Sequence, residues 1–329
     1  MWLTRCTRAR MMVRVMGLSA ALAVAAGCSG GGDEAVDTQT DALVNVAEAQ
    51  SLLYEQHPAP AACATGATEA RVACLISARY AADPGARDIA LTLYRESGGV
   101  AGVLPAETYD GGYRGQLQLV PALPVGGFRD HLVRVRDAAR DIDAFFRSMA
   151  PAAHAPVAYR WRNIDVQFFR SVGRTTPSAF ASEDHWRIAY NVSGSLNTSA
   201  PAVRETIFHE LFHMNDWAHD DWSSHALAPI VAGIIVRCGT NRACLAPYTP
   251  TDVVVPGGTY YAFQPGPPTA LEYAAELAVR YHDEQRARMD GRTFEKPPFK
   301  CGPPENARSW ALMVDAFFGG ADLVPPCAH

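Results

Sequence analysis

The chain has 329 residues, 29 Lys+Arg against 34 Asp+Glu, and a net charge of −5 at neutral pH, with 48 % hydrophobic residues. Its basic clusters run to no more than a few residues, which excludes a broad phosphate-binding face and so a nucleic-acid partner. The same balance excludes membrane attachment through a polybasic patch.

Residues 1–27 read as an export signal. Arg5, Arg8, Arg10 and Arg14 make a basic start, and Val15 to Ala26 is an apolar run too short for a permanent membrane span. The run ends in Ala25-Ala26-Gly27-Cys28, which resembles a bacterial lipobox. That resemblance implies cleavage before Cys28, lipid on its sulfur and a protein anchored to the cell envelope; ordinary secretion with an unmodified Cys28 stays open. Ser29 after the cysteine is similar to the outer-membrane sorting pattern of Gram-negative lipoproteins. Residues 1–27 hold four Arg and no acid, so the remainder carries 25 − 34, or −9. Residues 28–41 are Gly-rich and acidic with little to bury, and read as a flexible tether. The domain proper is expected over 42–329, with a helical N-terminal part, 42–100, and a part carrying the chemistry, 101–329.

Cys6 and Cys28 aside, six cysteines remain, and an even count in an exported chain favours disulfides. Of the possible pairings, the one most local in sequence joins Cys63–Cys74, Cys238–Cys244 and Cys301–Cys327. None shows the close paired spacing of a thiolate zinc site, so any metal must rest on histidine.

Helical patterning runs from Asp41 to Gln56, from Thr68 to Tyr80, and from Asp83-Pro84 to the glycines at 98 and 99. Tyr109 to Gly115 reads as a loop and Gly115 to Val120 as a strand. Phe128, Leu132, Val135, Ile142, Phe145 and Met149 then recur at helical spacing, predicting a long backing helix over 128–149. Ile164–Phe169 and Trp186–Val192 are strand candidates.

Next comes His209-Glu210-Leu211-Phe212-His213, an H-E-x-x-H pattern. Ser199 can cap the helix that carries it and Pro201 suits its first turn. Residues four apart lie one above the other on a helix, so the two imidazoles converge, while Glu210 is rotated about 100° away. Asp216, seven residues past His209, is placed to accept from a ligand imidazole. The plainer reading is two histidines on the surface of an amphipathic helix. The motif resembles the active-site helix of zincin metallopeptidases. The order of backing helix, strands and H-E-x-x-H helix is similar to their upper subdomain, and implies an α+β fold with a small twisted sheet and a mostly helical C-terminal part. In that family the strand before the active-site helix is a sheet edge that pairs with extended substrate, a position that Trp186–Val192 matches.

A catalytic zinc needs a third protein ligand, and two candidates stand open. His219 completes H-E-x-x-H-x-x-D-x-x-H, similar to the metzincin pattern but with Asp216 where that family has a turn-forming Gly. Alternatively, Thr269 to Tyr281 is strongly helical and holds Glu272 and Glu276 on one face. This E-x-x-x-E run resembles the glutamate helix of gluzincins, including lethal-factor-like and thermolysin-like enzymes, which implies Glu272 as ligand and Glu276 as the group that orients a ligand histidine. The plainer alternative for Glu276 is a solvated pair with Arg280. The resemblance further implies a transition-state tyrosine, a role for which Tyr261 is the candidate. The expected protein is thus a lipid-anchored zinc peptidase acting outside the cytoplasm on peptide or protein substrates, with Zn2+ held by His209, His213 and Glu272 (His219 being the alternative third ligand) and Glu210 as general base. A non-catalytic binding lipoprotein with a structural zinc is the alternative.

Overall fold

The computed structural model describes residues 45–327 apart from 56, 112–114, 183–184, 256–257, 266–268 and 295. The expected export signal, Cys28 and tether lie outside the described residues. Helices α1 (Val46–Tyr54) and α3 (Pro84–Ser97) begin at side-chain caps, whereas α2 (Thr68–Arg79) begins after Ala67 without one. Asn45 accepts from the Glu48 N–H, Asp83 accepts from the Ala86 N–H, and Gly98 ends α3 in the left-handed region at φ 78°. Leu52, Leu53, Val72, Ile76 and Leu93 from these helices join the same main core as the residues after 100. The helical N-terminal part therefore has no separate core.

Among the described residues, six strands form one mixed sheet: β1 (Ala101–Val103), β2 (Glu107–Asp110), β3 (Gln116–Pro121), β4 (Asp165–Ser171), β5 (Ala179–Ala181) and β6 (Arg187–Asn191). The order is β2-β3-β4-β6-β5, and β1 shares one side of β4 with β3. β1 runs parallel along Val166–Phe168, and β3 runs antiparallel along Phe169–Ser171. Side chains alternate as a pleated strand requires. Val166, Phe168, Ile188 and Tyr190 enter the main core, while Phe169 and Ala189 turn to a smaller cluster with Leu104, Leu117 and Leu119 on the other face.

Two strand expectations need correction. Tyr109 and Asp110 belong to β2, opposite Leu117 and Gln116, rather than to a loop. Tyr109 also stacks on Phe180 with ring centres 4.8 Å apart, a cross-sheet contact invisible in the Gly-rich local sequence. The strand at Arg187–Asn191 is not a sheet edge: β5 covers it in antiparallel register, Ala181 opposite Ile188, and takes the edge itself.

The long helix α4 (Arg129–Met149) buries Leu132, Val135, Ala138, Ile142, Phe145 and Phe146 along one stripe, as its periodicity predicts. It packs against α5 (Ala200–Ala218), the helix of the H-E-x-x-H motif. After α5 come α6 (Trp222–Ala226), α7 (Ala228–Cys238), α8 (Arg242–Leu245), α9 (Thr269–Met289) and α10 (Pro304–Phe317), so the C-terminal part is helical. Phe145, Phe208, Tyr281 and Phe318, from α4, α5, α9 and the end of α10, pack in one aromatic cluster through edge and stacked contacts. The three sequence-local disulfides form, with Cα–Cα distances of 5.5, 5.4 and 5.3 Å for Cys63–Cys74, Cys238–Cys244 and Cys301–Cys327. The architecture is mixed α+β.

Candidate metal centre

Helix α5 starts as its sequence dictates: Ser199 Oγ accepts from the Ala202 N–H at 3.3 Å, and Pro201 lies in the first turn. Phe208, Leu211 and Phe212 are buried and fix the rotation of the helix, which turns His209 and His213 toward α9. On α9, Ala274, Ala275 and Ala278 are fully buried and small, so the two helices approach closely.

At their crossing three side chains converge. His209 Nε2 lies 3.3 Å from Glu272 Oε2, and His213 Nε2 lies 3.8 Å from the same oxygen. The two Nε2 atoms face each other at 3.1 Å. Among the described residues this is the only His/Cys/Asp/Glu group whose ligand atoms all fall within 4.8 Å, and it could hold a metal ion. Glu272 Oε2 is buried yet has no hydrogen-bond partner among the described residues, although His209 Nε2 and His213 Nε2 lie 3.3 and 3.8 Å from it. One cation at the centre satisfies all three atoms at once, so the donor set of two imidazoles and one carboxylate fits a divalent metal. The three side chains are buried, with 8–12 % of their surface exposed.

The surrounding groups orient these donors. His209 Nδ1 is 3.0 Å from Glu276 Oε1, which turns the Nε2 lone pair inward. Glu276 is therefore not the partner of Arg280, which pairs with Glu284 at 2.6 Å. The other Glu276 oxygen accepts from the Thr251 hydroxyl. His213 lies along the Trp217 ring, with centroids 5.9 Å apart and planes 26° from parallel.

The electrostatics follow from burial beside like and unlike charges. Burial opposes a charged His209, yet Glu272 and Glu276 outweigh it and hold its pKa well above the ordinary value. Burial alone would raise Glu272, but the two histidines and the Tyr261 hydroxyl bring it down to about 2. His213 is pushed down to about 4 by burial and by His209. Glu210 is pushed up to about 7, chiefly by burial, while the Ala181 N–H of edge strand β5 hydrogen-bonds its carboxylate. The centre thus draws positive charge to the point shared by His209 and Glu272.

Tyr261 stands beside this group, its ring 5.8 Å from that of His209 and its hydroxyl near Glu272 and Gln264. Burial pushes that hydroxyl's pKa up.

Two candidates fall elsewhere. Helix α5 continues unbroken through Asp216 to Ala218, so His219, six residues beyond His213, is carried about 9 Å farther along the axis. His219 Nδ1 there lies 2.7 Å from the Asn215 carbonyl, and its ring packs on Phe317. The turn that would bring it back comes only at Asp220 and Asp221, both left-handed with φ 58° and 52°. Among the described residues Asp216 makes no hydrogen bond to His209 or His213. Its two oxygens accept from the Ser223 N–H and hydroxyl at 2.7 and 2.8 Å, anchoring α6.

Sequence reasoning missed Thr251, Trp217 and Asn215. Trp217 follows His213 by four residues, so its place on the same face was available from spacing alone. Asn215 is fully buried, and its side-chain amide binds both the N–H and the carbonyl of Arg160, tying α5 to the segment before β4. Nothing local marks Thr251, which lies 25 residues before the carboxylate it binds.

No protein-family model matches the chain, and no curated protein or solved structure matches it either.

Proposed function

We propose that this chain is a zinc-dependent peptidase of zincin-like, gluzincin-type architecture, working outside the cytoplasm. The observation that carries the reading is the meeting of His209, His213 and Glu272 at one point, with Glu210 adjacent in the H-E-x-x-H motif. The backing helix α4, the antiparallel edge strand β5 and the glutamate-bearing helix α9 support the architecture. His209, His213 and Glu272 would hold the zinc, which when bound supplies Lewis acidity toward a scissile carbonyl and acidifies water.

The remaining chemistry belongs to the chain. Glu210 serves as general base, accepting a proton from the attacking water and returning it to the leaving amine. Burial raises its proton affinity, the direction that suits a group that must take up a proton. The outer edge of β5 reaches Glu210 through the Ala181 N–H, so it replaces Arg187–Asn191 as the edge on which an extended peptide would add as a strand. Tyr261 would donate to the developing oxyanion. Three disulfides support an oxidising compartment, and the Ala25-Ala26-Gly27-Cys28 run supports lipid anchoring in the envelope.

The test is metal analysis of protein purified without added metal, together with hydrolysis of casein. One zinc per chain, with activity lost to a chelator and restored by zinc, is the expected result. Stoichiometric zinc without hydrolysis of any peptide would instead favour a structural zinc in a binding lipoprotein.

A further inference from the structure

Glu276 can orient His209 only if its own carboxylate is held. A glutamate in a helix is fixed at its Cα, but three side-chain torsions remain, and each must be set for Oε1 to meet His209 Nδ1 at 3.0 Å. The other oxygen, Oε2, accepts from the Thr251 hydroxyl. Thr251 is itself well founded. Its carbonyl accepts from Thr249 Oγ1 at 2.7 Å, and the Thr249 and Tyr248 N–H groups both donate to the Leu245 carbonyl, at 3.1 and 2.9 Å. Leu245 ends α8, which the Cys238–Cys244 disulfide ties to α7, and Asn306 of α10 donates to the Pro247 carbonyl at 2.9 Å.

We infer that Thr251 is a positioning residue of the metal centre, acting through Glu276 on His209. This rests on the metal-site reading above. The Thr251 hydroxyl fixes the Glu276 carboxylate so that Oε1 takes the proton-bearing Nδ1 of His209. That in turn fixes the tautomer in which the Nε2 lone pair faces Glu272 and His213. The stretch between His213 and Glu272, 59 positions apart, thereby supplies a working arm of the site through Thr251, just past its disulfide-tied turn.

The experiment is a zinc-affinity measurement by chelator competition on the full exported chain, comparing wild type, Thr251→Val, Thr251→Ser, Glu276→Ala and the Thr251→Val/Glu276→Ala double variant. Thr251→Val, which keeps the shape and removes the donor, should weaken zinc by about 10–100-fold. Thr251→Ser, which keeps the donor, should restore binding. In the Glu276→Ala background Thr251→Val should cost nothing further, because its route to the metal is gone. If Thr251→Val does not fold, as judged by circular dichroism, Thr251→Ala carries the same expectation without added bulk. Unaltered zinc binding in the hydroxyl-deleted variant overturns the inference, as does an equal loss with and without Glu276. A wild-type chain that takes up no zinc overturns the metal centre itself.

Discussion

Exchanging Glu272 for Gln keeps side-chain volume and removes the anionic donor at the point where His209 and His213 Nε2 converge. Structural zinc sites bind with about 10–16 kcal/mol spread over four ligands, or about 2.5–4 kcal/mol each, so the loss should weaken zinc by about 10²–10³-fold. The effect appears directly in unfolding. Zinc at about 1,000 times the wild-type Kd should add about 4.1 kcal/mol to stability, and at that concentration Glu272→Gln should retain only about 0.4–1.4 kcal/mol. His219→Ala should keep the full increment, because His219 Nδ1 is engaged by the Asn215 carbonyl beyond the metal-facing turns of α5. Urea unfolding with and without zinc, alongside metal analysis, measures both variants in one series. Full zinc stabilisation in Glu272→Gln together with its loss in His219→Ala would refute the assignment.

Loop length ranks the disulfides. On the chain-entropy argument, replacing Cys301 and Cys327 by Ser, across a separation of 26 residues, should cost about 3.5 kcal/mol; Cys238 and Cys244, six apart, should cost about 2.2 kcal/mol, and urea titration should give that order. Asp165 gives a pH signature: burial pushes its pKa up from 3.8 to about 7, against the opposing Val100 N–H bond and the charges of Arg187 and Arg160. The folded state therefore binds its proton more tightly, so this group's contribution falls as pH rises from about 4 to about 7 and stays low above it. For the zinc-free protein, Asp165→Asn should remove a slope on the order of 2–4 kcal/mol between pH 5 and pH 8, and an unchanged slope would contradict this. Replacing Cys28 by Ser should release the protein from the membrane fraction or leave an uncleaved precursor; a wild-type protein that is soluble and retains Met1 would end the lipid-anchor expectation.

What could be read in advance was what local periodicity encodes. The four-residue spacing of His209 and His213 puts both on one helix face whatever surrounds them, and Glu272 and Glu276 obey the same rule on α9. Ser199, Pro201, Asp83 and Gly98 mark helix ends through chemistry confined to one turn. The unread parts depend on partners far along the chain. Ala179–Ala181 carries no strand pattern of its own and exists as a strand through its pairing with β6, so the sheet edge was assigned one strand too far inward. The preference for Glu272 over His219 was legible in the shared face of Glu272 and Glu276, but where α5 stops was not. A helix continuing through Asp216 to Ala218 cannot be told from one that bends at Asp216 until Ser223 is seen to take that carboxylate. Thr251 lay beyond reach for the same reason.

In the proposed chemistry Glu210 moves the proton while His209, His213 and Glu272 hold the metal, and Glu210→Gln separates these two roles in a single preparation. Zinc content and the rate of peptide hydrolysis should be measured on the same sample, beside wild type. One zinc per chain is expected in both proteins, with hydrolysis lowered by about 10²–10⁴-fold in the variant. Near-wild-type hydrolysis by zinc-loaded Glu210→Gln would contradict that chemistry.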